Sequence, residues 1–355
     1  MAGGAGGERE EGDAGMMVGT GDGMSDAHST VRATADAAQR VRAASDAVRA
    51  NVNRVIVGKA ATIDLLLIAL LSEGHALIED VPGLGKTVMA KALARSLALR
   101  FARIQGTADL LPSDVTGISY FSQKLGEFEF RPGPVFANIV LADEINRATP
   151  RTQSALLEAM QERQVTVDGQ TMPLPAPFLL IATQNPIELE GTFPLPEAQL
   201  DRFLLRLRVM YPGESDERAM LYRFQQEQPL DTLAPVLRAA ELEALLPVVR
   251  AVFVSEPVAD YLLAIVRETR EHPAIELGAS PRAALALFRA VQARAAMQGR
   301  AYVKPDDIKR LVLPVLAHRL MMTAQTRLRG QSAESILQSI VDRTPVPVEE
   351  IGGEG

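Results

Sequence analysis

The stretch Leu77–Ala94, LIEDVPGLGKTVMAKALA, places Gly83, Gly85, Lys86 and Thr87 where they can hold phosphate. Glycines let backbone N–H groups converge on phosphate oxygens, and a following helix N-terminus adds the positive end of its dipole. In such a loop Lys86 reaches the β- and γ-phosphates and Thr87 ligates Mg²⁺. Gly-Lys-Ser/Thr alone arises by chance on the order of 0.2 times in a chain of this length, and Gly83 lowers that about tenfold. Context adds more, because the apolar run HALIE precedes the motif and the helical pattern KTVMAKALARSLA follows it. The chain uses 31 arginines and six lysines, yet position 86 is lysine. A compact ammonium fits a phosphate cradle where a planar guanidinium would not. Asp80 stands where glycine is usual; a turn tolerates it, and its charge beside a polyanion is expected to weaken affinity.

Two further strand-like runs end in polar groups. NIVLADEINRA closes on Asp143 and Glu144. Burying carboxylates is costly unless they are paired or bound to metal. Asp143 is expected to hold Mg²⁺ through water and Glu144 to polarise the attacking water. The bland alternative is a strand followed by an acidic turn. FLLIATQNP ends on Asn185, an amide placed to contact the γ-phosphate or the water, although Asn before Pro is also a common turn.

These groups need a scaffold. Five apolar runs at 75–79, 101–105, 138–143, 178–183 and 203–210 are separated mostly by helical spacing. The pattern predicts a mostly parallel α/β sheet covered by helices on both faces, with ligands at the carboxyl ends of its strands. Before it, VRATADAAQRVRAASDAVRANV predicts an amphipathic helix from about Ser29 to Asn53. Nine of the 26 glycines lie in the first 23 residues, with a cluster of acidic residues. Such a segment buries too little apolar surface to offset ordering, so residues 1–28 are expected to form a disordered tail. After YPGESDE the pattern becomes helical, with caps at Ser255 and Ser280 each followed closely by Pro. The expected domains are 29–212, a nucleotide-binding α/β unit, and 213–345, an all-α lid, with a flexible tail at 346–355.

Composition excludes several classes. The chain has 355 residues and no cysteine, so disulfides and thiolate chemistry are out. Its four histidines show no ligand spacing. Residues 1–27 account for most of the net charge of −7; no basic block marks a nucleic-acid surface. No apolar run is long enough to span a bilayer, and no signal-peptide pattern opens the chain. A cytoplasmic protein is expected.

The strings EDVPGLGKT, QGTADLLPSDVTG, RPGPVFANIVLADEINRATPRTQSALLEAMQERQVTVDG and ATQNPIELEGTFPLPEAQLDRF resemble the MoxR family of AAA+ ATPases. The resemblance implies an AAA+ P-loop core with a five-stranded sheet and a helical lid, working as a Mg²⁺-dependent ATPase in a homo-oligomeric, hexameric ring. It makes Lys86 and Thr87 the Walker A pair and Asp143 and Glu144 the Walker B pair. Asn185 corresponds to sensor 1, Arg202 to the arginine finger and Arg282 to sensor 2. Val57 and Gly58 correspond to the segment touching the base, and Val81, Pro82, Gly83, Leu84, Gly85 and Val88 to the rest of the nucleotide cradle. YFSQKLGEFEFRPGP resembles an insertion within the family's second helix, and QVTVDGQTMPLP a hairpin before sensor 1 with Asp168-Gly169 as its turn. Gly106 and Ala108 depart from the family pattern, where a larger residue and Pro are expected.

Relatives of this kind imply a remodeller of proteins, aiding complex assembly or metal-cofactor insertion with a von Willebrand factor A (VWA) domain partner. A nucleic-acid motor is the second reading, and the near-neutral core and missing aromatic-basic groove oppose it. A magnesium-chelatase-like motor subunit shares the machinery and differs in partner. A nucleotide-gated scaffold that does not hydrolyse ATP is the last.

Overall fold

The computed structural model describes residues 23–79, 83–185, 191–225 and 229–347. The acidic tail through residue 22, the cradle residues Asp80, Val81 and Pro82, and the tail from 348 lie outside them. The first helix, α1 (Gly23–Asn53), begins earlier than Ser29. No Gly or Pro interrupts the run after Gly23, so nothing in the backbone stops the helix there. Then α2 (Ala60–Leu71), β1 (Ala76–Glu79), α3 (Lys86–Ser96) and β2 (Phe101–Gln105) follow. A one-turn α4 (Pro112–Thr116) leads into the hairpin β3 (Gly117–Ser122) and β4 (Glu127–Pro132). Next come β5 (Ile139–Asp143), α5 (Pro150–Glu162), the hairpin β6 (Gln164–Val167) and β7 (Gln170–Pro173), β8 (Leu179–Gln184), α6 (Glu197–Leu200) and β9 (Leu205–Leu207).

The five expected runs form one sheet in the order β2-β5-β8-β1-β9, and every pairing is parallel. Alternate residues of β5 enter different cores. Ile139 and Leu141 join the apolar cluster with α1, α2 and α3; Val140 and Ala142 join the one beneath α5. Burial on both faces is why these strands read as unbroken Val/Ile/Leu runs. Parallel strands place all their carboxyl ends along one edge, where β1, β5 and β8 deliver Glu79, Asp143 and Gln184.

The lid holds α7 (Glu214–Phe224), α8 (Ala239–Arg250), α9 (Glu256–Glu271), α10 (Pro281–Met297), α11 (Pro305–Leu316), α12 (Ala324–Leu328) and α13 (Ala333–Arg343). It is helical apart from a short antiparallel ribbon, β10 (Ile275–Leu277) with β11 (Met321–Met322), too brief to show a strand period in the sequence. Val41, Val48 and Val52 of α1 share one apolar cluster with Ala290 and Val291 of α10 and Leu93 of α3. The first helix therefore fastens the lid to the sheet.

Two buried histidines make stability pH-dependent. His75 accepts from Leu180 N–H at 3.0 Å and lies 3.0 Å from the Met160 carbonyl. Burial, with Arg163 nearby, holds its pKa down to about 3, and burial beside Arg319 holds His318 well below its usual value. His75 is neutral when folded and protonates when unfolded, so its full contribution is present above pH 6.5 and is lost as pH falls from there toward 3; the lowered His318 acts in the same direction. Urea denaturation at pH 5 is expected to show about 2 kcal/mol less stability from His75 than at pH 7.5, and His75→Gln should flatten that part of the dependence.

Candidate functional site

Gly85 is the N-cap of α3 in the left-handed conformation (φ 79), and no side chain caps the helix. Gly83 also has φ 86, and a Cβ at either glycine would meet open space. Glycine is thus required by the backbone and not by crowding. Lys86 and Thr87 form the first turn, which carries no acidic residue, and Leu84 and Val88 pack against the core behind it. Uncapped N–H groups at a helix start suit an anion, so the described loop residues fit a nucleotide's phosphates.

Asp143 ends β5 and Glu144 follows in the left-handed region (φ 54). The turn is held from β8, where the Thr183 hydroxyl donates to Asp143 Oδ1 at 2.7 Å and accepts from Glu144 N–H at 2.9 Å. From β2, Arg103 pairs with Asp143 Oδ2 at 2.6 Å, and Gln105 Nε2 donates to Glu144 Oε2 at 2.9 Å. Arg147 lies 3.5 Å from the same carboxylate. Asn185 follows β8 and sits half-buried beside this edge. A hydroxyl at Thr87 and a carboxylate at Asp143 match Mg²⁺, which is usually held by one or two protein oxygens plus phosphate and water.

Gly106 explains its departure from the family pattern. Its N–H donates to the Asp143 carbonyl at 2.7 Å, and a Cβ there would run into the backbone of Asp143 and Glu144. A larger residue would push the carboxylate turn away from β2. Gly106→Ala is expected to cost about 1–3 kcal/mol of stability and to lower turnover by displacing Glu144; thermal unfolding and phosphate release read the two effects separately.

The base of the phosphate loop is tied to its neighbours. Glu79 accepts from Gln184 Nε2 at 2.6 Å and pairs with Arg206 of β9 at 3.1 Å. Arg206 also pairs with Glu334 of α13 at 2.8 Å, so the strand entering the loop is linked to the last helix of the lid. Val57 and Gly58 lie between α1 and α2, with Gly58 at φ 72 and packed against the Asp216 side chain of α7.

Arg202 and Arg282 do not join this constellation. They line a cavity of about 370 Å³ with Gly74 and His75, which precede β1, and Asp201 and Leu204, which precede β9. That is the amino edge of the sheet, about 13 Å from the phosphate loop for a four-residue strand. The structure brings the two arginines to one cavity, away from Lys86, Thr87, Asp143 and Glu144 of their own chain. Sequence reading also missed Arg103, Gln105 and Thr183. Gln105 and Thr183 end apolar runs at the edge where ligands bind, a signal that could have found them; Arg103 needed the β2–β5 register.

Residues 75–205 match the model of the ATPase family associated with various cellular activities (AAA), and 267–340 match the AAA lid domain. The chain is 51% identical over 299 residues to the uncharacterized protein YeaC of Bacillus subtilis (strain 168), covering 84% of this chain and 93% of that one. It is 41% identical to Chaperone MoxR1 of Mycobacterium tuberculosis (strain H37Rv), covering 83% and 80% respectively. A crystal structure of an inferred ATPase from Cytophaga hutchinsonii superposes with a TM-score of 0.84 at 37% identity, over 92% of this chain and all of that one.

Proposed function

Because the chain belongs to the MoxR family of AAA+ ATPases, we propose that it hydrolyses ATP in a homo-oligomeric ring and uses the energy to remodel a protein client. One observation carries the reading: Gly83, Gly85, Lys86, Asp143 and Glu144 lie at the carboxyl edge of the sheet, while Arg202 and Arg282 lie at the amino edge. A site divided between opposite faces is completed only when two copies meet head to tail. Such a heterologous interface closes into a ring when its rotation allows.

In this reading Lys86 and the backbone around Gly83 and Gly85 hold the phosphates, and Val57 and Gly58 border the base. Thr87 and Asp143 would hold Mg²⁺, which supplies positive charge against the phosphate oxygens. Glu144 takes the proton of the attacking water, its carboxylate oriented by Gln105. Asn185 places the water. Arg202 and Arg282 of a neighbouring copy balance the charge that develops on the transferred phosphoryl group.

The two hairpins are where work would reach a client. The turn Asp168-Gly169 has φ 50 and 78, a two-residue connection with the twist that hairpins favour. On the other hairpin Phe121 and Phe128 pack edge to face at 5.4 Å and stay 53% and 74% exposed. Among the described residues no helix is long and apolar enough to cross a membrane. A cytoplasmic setting and a VWA-domain partner are part of the proposal.

Phosphate release from ATP with and without Mg²⁺ tests the enzymatic half. Nucleotide binding without release under any condition would favour the scaffold reading. For the partner, tagged Glu144→Gln held with ATP and recovered from native lysate should bring down a VWA-domain protein or an enzyme awaiting its metal. Nucleic acid that survives high salt would favour the motor reading instead.

A further inference from the structure

We infer that Arg319 is a positioning residue that, through Asp201 and Ser280, fixes Arg202 and Arg282 on one rigid platform so that both enter the neighbouring site together. The inference rests on the proposal that these arginines act in trans. The Arg319 side chain is only 2% exposed, and its guanidinium gathers the segment that carries Arg202. One terminal nitrogen donates to the carbonyls of Val315 at 2.6 Å and Leu204 at 3.3 Å. The other donates to Phe203 at 2.7 Å and Asp201 at 3.1 Å. Nε lies 2.9 Å from Asp201 Oδ1. The Asp201 carboxylate in turn accepts from the Ser280 hydroxyl at 3.3 Å, and Ser280 caps α10 by accepting from Ala283 N–H at 3.1 Å. Arg282 is in the first turn of that helix. One buried fork therefore joins the loop bearing the first arginine to the helix start bearing the second.

A buried guanidinium is an expensive core residue: burial lowers its pKa to about 10 even with Asp201 beside it. Well-packed apolar side chains are often as stabilising as a buried ion pair. What an apolar residue cannot do is bind four carbonyls from two elements at once, and lysine lacks the planar fork to do so. Reacting groups misplaced by about 1 Å can lose on the order of 10²-fold in rate, so rigidity of this platform bears directly on turnover.

The test uses Arg319→Lys, which keeps the charge and loses the fork. Turnover in Mg²⁺ and ATP is expected to fall about 10–100-fold, with ATP affinity unchanged because the variant's own phosphate loop lies at the other edge of the sheet. Mixing supplies the readout that a merely damaged fold would not give. Glu144→Gln binds ATP and retains an intact platform, so a ring mixing it with Arg319→Lys contains interfaces where an intact hydrolytic edge meets an intact arginine platform. In a one-to-one mixture about a quarter of the interfaces are of that kind, so activity per protomer is expected to rise above either variant alone toward about a quarter of the wild-type value, as it should for a control mixture of Arg202→Ala with Glu144→Gln. If the control mixture does not recover, the trans reading fails and this inference falls with it. If the control recovers while Arg319→Lys retains wild-type turnover, loses ATP affinity, or stays slow on mixing, Arg319 is not a positioning residue.

Discussion

Arg202→Ala is expected to bind ATP as the wild type does and to hydrolyse it roughly 10³–10⁵-fold more slowly. The expectation follows from placement. Arg202 precedes β9 at the edge of the sheet opposite the phosphate loop, so its loss leaves the chain's own nucleotide contacts untouched. The substituted protomer loses what it gives to its neighbour: a cation aimed at charge that develops only in the transition state. Equilibrium binding of a fluorescent ATP analogue, together with single-turnover phosphate release, separates the two. Turnover equal to wild type would remove Arg202 from the chemistry, and weakened binding with normal turnover would make it a ground-state contact.

Glu144→Gln is the second large effect, a loss of roughly 10²–10⁴ in turnover with nucleotide retained. The substitution keeps the shape of the side chain and a group able to accept from Gln105 Nε2, while removing the base. The left-handed turn at φ 54 and the hydrogen bond from Glu144 N–H to the Thr183 hydroxyl do not involve the Glu144 side chain, so they persist. A variant that releases phosphate at the wild-type rate would show that water is activated elsewhere. One that fails to hold ATP would show that the carboxylate contributes to binding.

Much of the scaffold could be read from the chain because its signals are local. Four of the five sheet strands lie within the expected apolar runs and β8 passes the end of its run by one residue, Gln184, since burial on both faces leaves uninterrupted Val/Ile/Leu. The hairpin that the resemblance implied has its turn at Asp168-Gly169, where both positions have positive φ. The phosphate loop combined a strand, glycines and a helix start within a dozen residues. What escaped was set by register and by packing of distant segments. Arg103 and Gln105 matter because Arg103 stands opposite Leu141 and Gln105 opposite Asp143 across β2 and β5, and no pattern along one strand records its partner. Gly106 looked like an oddity and is the residue that lets the β2 end lie against the Asp143-Glu144 turn. The side of the molecule on which Arg282 lies depends on how the lid is fastened by α1 and by Arg319, contacts that span hundreds of residues in some cases.

The central claim is that one chain holds only half of a working site. Specific ATPase activity of the wild type, measured across a dilution series with the assembly state followed in parallel, tests it most directly. Activity per protomer is expected to climb with concentration as rings form and then to level off. Activity per protomer that stays constant down to dilutions where the chain is monomeric would contradict it.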